Sequence, residues 1–129
     1  MMEGISLIKH VPTAPGLRLL GMGPRLRPTN GLFKLQSFLN ENTFWAKGRN
    51  KLQIRKMLSH STVVVSLWHH NKLIGFGRAT SDQVFRAVLW DVVIASDHQG
   101  LGMGKLILEA ILTNKKIKSV EKIYLMTTN

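Results

Sequence analysis

A glycine-rich segment between an apolar run and an amphipathic run constrains the fold more than any other feature. The segment reads Gln99-Gly100-Leu101-Gly102-Met103-Gly104-Lys105. Its alternating glycines let the backbone turn sharply and present N–H groups without obstruction from Cβ atoms. A helix that begins there adds unpaired amides and the positive end of its dipole. The segment therefore predicts a strand-loop-helix unit whose loop binds a pyrophosphate, with Lys105 adding a charge. A turn without a ligand is the alternative.

Two better-known glycine motifs do not fit this segment. A dinucleotide fingerprint that starts at Gly100 would need a third glycine where Lys105 stands. A P-loop needs four positions between its first glycine and its Gly-Lys pair, whereas Gly100 and Gly104 leave three. The loop is therefore expected to use a different phosphate-binding register.

The residues around the loop predict a mixed α/β domain. A β-branched run at 62–68, a second run at 73–79 and a third at 84–94 indicate a three-stranded meander, with Asp82 as a turn former. After the loop, apolar spacing predicts a helix over 102–114 and a strand over 119–127. The inward face of that helix is expected to carry four residues: Met103, Ile107, Ala110 and Ile111.

The first half of the chain predicts two helices after an extended segment. Frequent Pro and Gly confine residues 1–28 to short extended pieces, with edge-strand candidates at 17–20 and 25–27. A helix capped by Thr29 or Asn30 runs to about 42, and Gly48 or Asn50 opens a basic second helix. The inward residues of the two helices are expected to be Leu32, Leu35, Gln36 and Leu39 in the first and Leu52, Ile54, Met57 and Leu58 in the second. Residues 29–129 form the main domain in this interpretation.

Composition excludes several classes of function. The chain has 129 residues, enough for one domain, and no apolar run of the roughly 20 residues that a membrane span requires. It has no cysteine, so disulfides and thiolate metal sites are excluded, and no metal site is predicted. The formal charge of +11 favours anionic partners. No cleaved leader is expected, because the start of the chain has no apolar stretch of signal-peptide length.

The spacing Gln99-x-x-Gly102-x-Gly104 after Val92-Val93-Ile94 resembles the acetyl-CoA motif of the GNAT superfamily of N-acetyltransferases. Other segments, in the same order, are similar to its cyanobacterial and chloroplast branch, which includes serotonin- and lysine-acetylating members. These segments are Phe44-Trp45-Ala46, Val63-Val64-Val65-Ser66-Leu67-Trp68, Ile74-Gly75-Phe76-Gly77-Arg78-Ala79-Thr80-Ser81-Asp82 and Trp90-Asp91-Val92-Val93-Ile94. The resemblance implies a mixed, mostly antiparallel sheet with a β-loop-α-β cofactor unit.

The resemblance also implies how acetyl-CoA is bound and used. Backbone groups of Val92, Val93 and Ile94 would pair with the pantetheine arm, and the amides of residues 99–105 would hold the pyrophosphate. The amine would attack the thioester directly in a ternary complex. The acceptor alternatives are a protein lysine, a protein N-terminus and a small arylalkylamine. The implied compartment is the cytoplasm, with the plastid stroma as the alternative.

One departure from the family concerns the end of the chain. The family continues past the equivalent of Asn129 into a helix with a general-acid tyrosine and into closing strands. We therefore expect a truncated domain whose exposed edge at 119–128 lowers solubility or pairs two chains as a dimer. Tyr124 does not occupy the position of the family's tyrosine.

Several other side chains have both a catalytic and a structural interpretation. Asp91 is a candidate base for the amine proton, or it pairs with Arg78 or Arg86. Phe44 and Trp45 line the acceptor entrance or pack in the core. The histidines His69, His70 and His98 are expected to be loop or turn residues, with a phosphate or acceptor contact as the alternative for His98. Two interpretations are open for the lysines after the helix predicted over 102–114, namely contact with the 3′-phosphoadenosine end of the cofactor or exposure to solvent at a helix terminus. These lysines are Lys115, Lys116 and Lys118.

Two alternative functions follow from the same residues. A basic RNA- or ribosome-associated module would explain the charge, although the sequence lacks paired sheet aromatics and a Gly-x-x-Gly helix loop. A CoA-binding fragment that cannot transfer is the other alternative.

Overall fold

The computed structural model describes residues 4–10 and 31–126. In chain order the elements are β1 (Ile5–His10), α1 (Gly31–Asn42), α2 (Lys51–Ser59), β2 (Val63–His69), β3 (Lys72–Ser81), β4 (Arg86–Ile94), α3 (Met103–Leu112) and β5 (Lys122–Leu125), with a 3-10 turn at Ser96–His98 between β4 and α3. The predicted edge pieces at 17–20 and 25–27 and the caps Thr29 and Asn30 lie outside the described residues.

The five strands form one sheet in the order β1-β2-β3-β4-β5. The first three pairings are antiparallel, and β5 joins β4 in parallel. The mixed, mostly antiparallel sheet and the β-loop-α-β unit are therefore as predicted. An edge strand was expected within residues 1–28, and β1 lies in that segment, upstream of the two named candidates. It places Leu7 opposite Leu67 and Ile8 opposite Ser66 in the sheet.

Helix α3 covers one face of the sheet and the α1–α2 region contacts the other. Close approach of α3 depends on Gly75 and Gly77, because a Cβ at Gly77 would lie 2.7 Å from Ile107 Cγ2. Side chains alternate between faces along a strand. Arg78 accordingly points to the opposite face, where its partner Asp91 also binds a residue of the connection between α1 and α2.

The predicted inward face of α3 is confirmed. Four of its residues are buried, namely Met103, Ile107, Ala110 and Ile111. The start of α2 is also as predicted, because Asn50 accepts from the Gln53 N–H while the Gln53 side chain accepts from the Asn50 N–H. The prediction that Leu52 faces inward is wrong, since this side chain is 74% exposed. The core under α2 receives Ile54 and Leu58, one helical turn apart.

No helix in the described parts of the chain, residues 4–10 and 31–126, has the length and apolar character that crossing a membrane requires.

We predict that Gly75→Ala lowers the free energy of unfolding by about 1–3 kcal/mol, because overpacking forces neighbouring groups apart. The new methyl group would lie 2.8 Å from Ile107 Cδ1, 3.0 Å from Ile94 Cδ1 and 3.1 Å from Leu67 Cβ. Ile107→Val removes the first of these atoms and should partly relieve the strain. Urea unfolding of the single and double variants tests this. Strictly additive losses would contradict the proposed contact.

Candidate functional site

A bulge divides β4 into two halves. Trp90 pairs with Arg78 and Val93 pairs with Phe76, so two residues of β4 oppose the single residue Gly77. The first of the two, Asp91, has a left-handed backbone with φ of 53°. Asp tolerates this conformation better than bulky or β-branched residues do. Such a bulge bends the strand and increases its local twist.

Within the part of the chain that the structure describes, the second half of β4 has a strand neighbour on one side only. β5 pairs with Arg86–Leu89, and the Met126 N–H donates to the Leu89 carbonyl at 3.0 Å. Among the described residues, 90–94 have β3 as their only strand partner. Apart from the Ile94 carbonyl, which accepts from the Gln99 side chain, the backbone groups of this half that point away from β3 have no strand partner in the described chain and can pair with an extended ligand.

The glycine-rich loop presents bare amides next to that free edge. Gly100 and Gly102 have φ of 79° and 81°, and a Cβ at either position would meet no atom within 4 Å. Gly102 is the N-cap of α3 and provides no side-chain cap. The N–H groups of Met103, Gly104 and Lys105 in the first turn consequently have no intrahelical acceptor. The loop has the backbone amides and the open space that an anion needs.

The loop and the free edge of β4 adjoin at Ile94. The Gln99 side-chain amide donates to the Ile94 carbonyl at 3.1 Å, and a Cβ at Gly104 would lie 3.9 Å from Ile94 Cγ1. The predicted cofactor residues thus lie along one path from the bulge to the start of α3. Their side chains differ in placement, since Met103 is buried in the core whereas Leu101 and Lys105 are exposed.

Asp91 lies in a buried cluster of positive and polar groups on the other face of the bulge. Its Oδ2 accepts from Arg78 Nε at 2.9 Å and from Arg49 Nη1 at 3.1 Å. Its Oδ1 accepts from the Trp45 indole N–H at 3.1 Å and from Arg49 Nη2 at 3.3 Å. Burial alone would raise the pKa of Asp91, but the hydrogen bonds and charges of the two arginines outweigh burial and lower it.

This cluster ties the connection between α1 and α2 to the bulge. Pairing of Asp91 with Arg78 was predicted. The other suggested partner, Arg86, instead forms an ion pair with Glu121, with 3.4 Å between Arg86 Nη1 and Glu121 Oε1. Arg49 was missed, because it is 42 residues away and no local pattern marks the contact. The catalytic role of Asp91 as a base stays a prediction, and its contacts suit a residue that positions the connection.

The predicted acceptor residues lie in that same connection. Phe44 and Trp45 pack edge to face with ring centroids 5.4 Å apart, and they are 75% and 39% exposed. Core packing, which was the alternative, does not describe Phe44. Trp45 is anchored by Asp91 and still presents part of its ring to solvent.

The remaining candidates form ordinary local structure. The Oδ1 atom of Asp82 accepts three backbone N–H bonds, which lower the pKa of the carboxyl and confirm a turn former. The Nδ1 atom of His98 is hydrogen-bonded to Asp97 Oδ1 at 2.8 Å, and the imidazole ring packs edge to face on His69. No cluster that could hold a metal ion occurs among residues 4–10 and 31–126. The three lysines after α3 are exposed, and Tyr124 of β5 pairs with Val88 of β4.

Comparisons with known proteins agree on one family. Residues 32–129 match the model of the Acetyltransferase (GNAT) family. An uncharacterized N-acetyltransferase ycf52 from Porphyra purpurea is 38% identical over 94 residues, which cover 70% of this chain and 52% of that protein. A ycf52-like protein from Prochlorococcus marinus is 35% identical over 101 residues, which cover 75% and 55%. The chain spans about half the length of these curated relatives.

A plant protein and a solved bacterial structure extend the comparison. The chloroplastic serotonin N-acetyltransferase 2 of Oryza sativa subsp. japonica is 36% identical over 84 residues, 60% of this chain and 40% of that protein. A GNAT family acetyltransferase from Streptococcus pneumoniae superposes with a TM-score of 0.68 at 16% identity, covering 97% of this chain and 76% of that one. The second likeness concerns the fold alone.

We predict that Asp91→Asn lowers the free energy of unfolding at neutral pH by about 2–4 kcal/mol, because two partly buried guanidinium groups lose their counter-charge. The folded pKa of Asp91 is below its usual value of 3.8. Its stabilising contribution is therefore complete above that value and is lost as the pH falls through the folded pKa.

Unfolding of the wild-type chain and Asp91→Asn across an acidic pH series measures this contribution. The difference between the two proteins should shrink on acidification. Glu109→Gln serves as the control because Glu109 is exposed and forms no ion pair among the described residues. A difference that is independent of pH would refute the assignment.

Proposed function

Because the chain belongs to the GNAT family of acetyltransferases, we propose that it transfers the acetyl group of acetyl-CoA to a primary amine. The observation that carries this proposal is the free edge of β4 at residues 90–94, continuous with the bare amides of the glycine-rich loop. A sheet edge suits an extended, amide-bearing arm, and a helix N-terminus suits a pyrophosphate. Acetyl-CoA combines these two parts in one molecule.

The direction of β4 assigns the two ends of the cofactor in this proposal. The strand runs from the bulge at Asp91 to the loop after Ile94. With the pyrophosphate on the amides of residues 100–105 and the pantetheine beside Val92, Val93 and Ile94, the acyl end lies towards the bulge. Lys105, exposed in the first turn of α3, is placed to add a charge near the phosphates.

The chain would contribute mainly by positioning. When bound, acetyl-CoA supplies a thioester whose carbonyl carbon is the electrophile. A backbone N–H of residues 92–94 would polarise that carbonyl, and the cluster around Asp91 would hold the acceptor-side connection in place. These 129 residues contain no cysteine, so the amine would attack the thioester carbon without a cysteine-linked intermediate. A C–N bond would form as the C–S bond breaks, CoA would leave as its thiolate, and the proton released by the amine nitrogen would balance that thiolate.

The charge near the bulge favours the reactive form of the amine. Arg49 and Arg78 place two positive charges against the single negative charge of Asp91. An ammonium group brought beside them is disfavoured relative to the neutral amine, because like charges lower the pKa of an amine. Only the neutral amine has the lone pair that attack requires. The acceptor classes considered are a protein lysine, a protein N-terminus and an arylalkylamine.

Substitutions at Gly102 test where the cofactor binds. We predict that the Gly102→Asp variant binds CoA about tenfold or more weakly than the Gly102→Asn variant does. Calorimetry measures both affinities. The two side chains are similar in size and both tolerate the left-handed backbone, so their difference isolates the negative charge beside the phosphates.

Gly48 provides a matched control for this experiment. Its φ of 85° and open surroundings resemble those of Gly102, but it lies in the connection between α1 and α2. Gly48→Asp should bind CoA as tightly as Gly48→Asn. Equal CoA affinity in the two Gly102 variants would rule out the proposed pyrophosphate site.

A further inference from the structure

The chain presents an unusually one-sided charge distribution beside the acceptor end of the site. Between Glu41 and Asp82 there are seven basic residues and no acidic residue. This stretch contains α2 and the connection that leads into it. Any molecule that approaches the bulge from the side of this connection therefore meets a positive surface.

Four of these basic residues, one of them Lys56, are free to bind a partner. The other three matter most for the surface defined below. Lys47, Lys51 and Arg55 are exposed and form no ion pair with any residue in the described ranges. Lys51 lies 5.4 Å from the centroid of the Phe33 ring, a contact that leaves its charge unneutralised. Arg49 differs from these three, because its guanidinium is committed to Asp91.

The same stretch carries two prominent apolar side chains. Phe44 and Leu52 are 75% and 74% exposed, the highest values among the large apolar residues of the described chain. We define the approach surface as Phe44, Lys47, Lys51, Leu52 and Arg55. Exposed apolar groups mixed with cations are typical of a surface that binds another polypeptide.

The connection that carries Phe44 and Lys47 is hydrogen-bonded to the bulge through neighbouring residues. Trp45 and Arg49, which lie within the same stretch, both donate hydrogen bonds to Asp91. The proposed acyl end of the cofactor lies at this bulge. An acceptor whose amine reaches the acyl group is therefore in position to contact the approach surface with its flanking residues.

We propose that the acceptor is an acidic polypeptide, in which Asp or Glu residues flank the lysine or N-terminal amine that is acetylated. This inference rests on the proposed function, because it assumes that the amine reaches the bulge. Carboxylates of the acceptor would pair with Lys47, Lys51 and Arg55, and its apolar residues would cover Phe44 and Leu52. An acidic polypeptide supplies both negative charge and a basic amine. A nucleic acid supplies charge, but the amino groups of its bases are conjugated and are poor nucleophiles.

Three peptides of equal length, each with one lysine and a free N-terminus, test this inference. Their flanking residues are acidic, neutral or basic. We expect kcat/KM and affinity for the acidic peptide to exceed those for the neutral peptide by about tenfold at low ionic strength, and the preference to shrink with added salt. The basic peptide should be the weakest. Equal affinity for all three peptides would overturn the inference.

Charge reversal locates the effect on the surface. Lys51→Glu combined with Arg55→Glu should abolish the preference for the acidic peptide. Lys9→Glu combined with Lys122→Glu makes the same change in net charge at exposed sites on β1 and β5, and it should preserve the preference. The same loss in both double variants would overturn the inference, because long-range attraction would then explain the preference.

Parallel measurements separate this inference from the proposed function. If CoA and the acidic peptide bind but no acetyl group is transferred, the docking surface is supported and the proposed activity fails. An RNA oligonucleotide that binds more tightly than the acidic peptide, with the same sensitivity to Lys51→Glu and Arg55→Glu, would overturn the inference. Acetylation of an arylalkylamine without binding of any acidic peptide would also overturn it.

Discussion

The buried carboxylate of Asp91 and its two guanidinium partners are the interaction on which the geometry of the site depends. Asp91 occupies the bulge that separates the two halves of β4, and its left-handed backbone is part of that bulge. Its side chain draws Arg49 and Trp45 of the α1–α2 connection to the same point. A single residue therefore sets the course of the strand on one side and holds the α1–α2 connection on the other.

The division of β4 gives its two halves different tasks. The first half pairs with β3 on one side and with β5 on the other, so it lies inside the sheet. The second half pairs with β3 alone among the described residues and leads to the glycine-rich loop. On the opposite face, Gly75 and Gly77 let α3 approach closely, which places its first turn beside Ile94. Packing thus brings the free edge and the bare amides together.

Local patterns predicted much of this fold because the relevant signals are short in range. The inward face of α3, the turn at Asp82 and the start of α2 at Asn50 each depend on residues within a few positions of one another. The loop was likewise identifiable from glycine spacing. Leu52 was wrongly predicted to face inward. Helical periodicity shows which residues of α2 share a face, but it does not show how much of that face the rest of the protein covers.

Long-range features could not be read from the sequence in the same way. Arg49 reaches Asp91 across 42 residues, and its contact depends on how α1 and α2 dock against the sheet. β5 pairs with β4 only as far as Leu89 among the described residues. Where this pairing ends depends on the bulge and on the path of the chain through α3. The resemblance implied that Val92, Val93 and Ile94 pair with the pantetheine arm, but the pairing that leaves this edge of β4 free in the described chain is visible only in three dimensions.

Amide hydrogen exchange with and without CoA tests the central claim most directly. If the cofactor pairs with the free edge and the loop, CoA should slow exchange at residues 92–94 and at residues 100–105 together. The paired strand β2 should be unaffected and serves as the internal reference. Protection of the loop without protection of residues 92–94, or no protection of either, would contradict the claim that this edge receives the pantetheine arm.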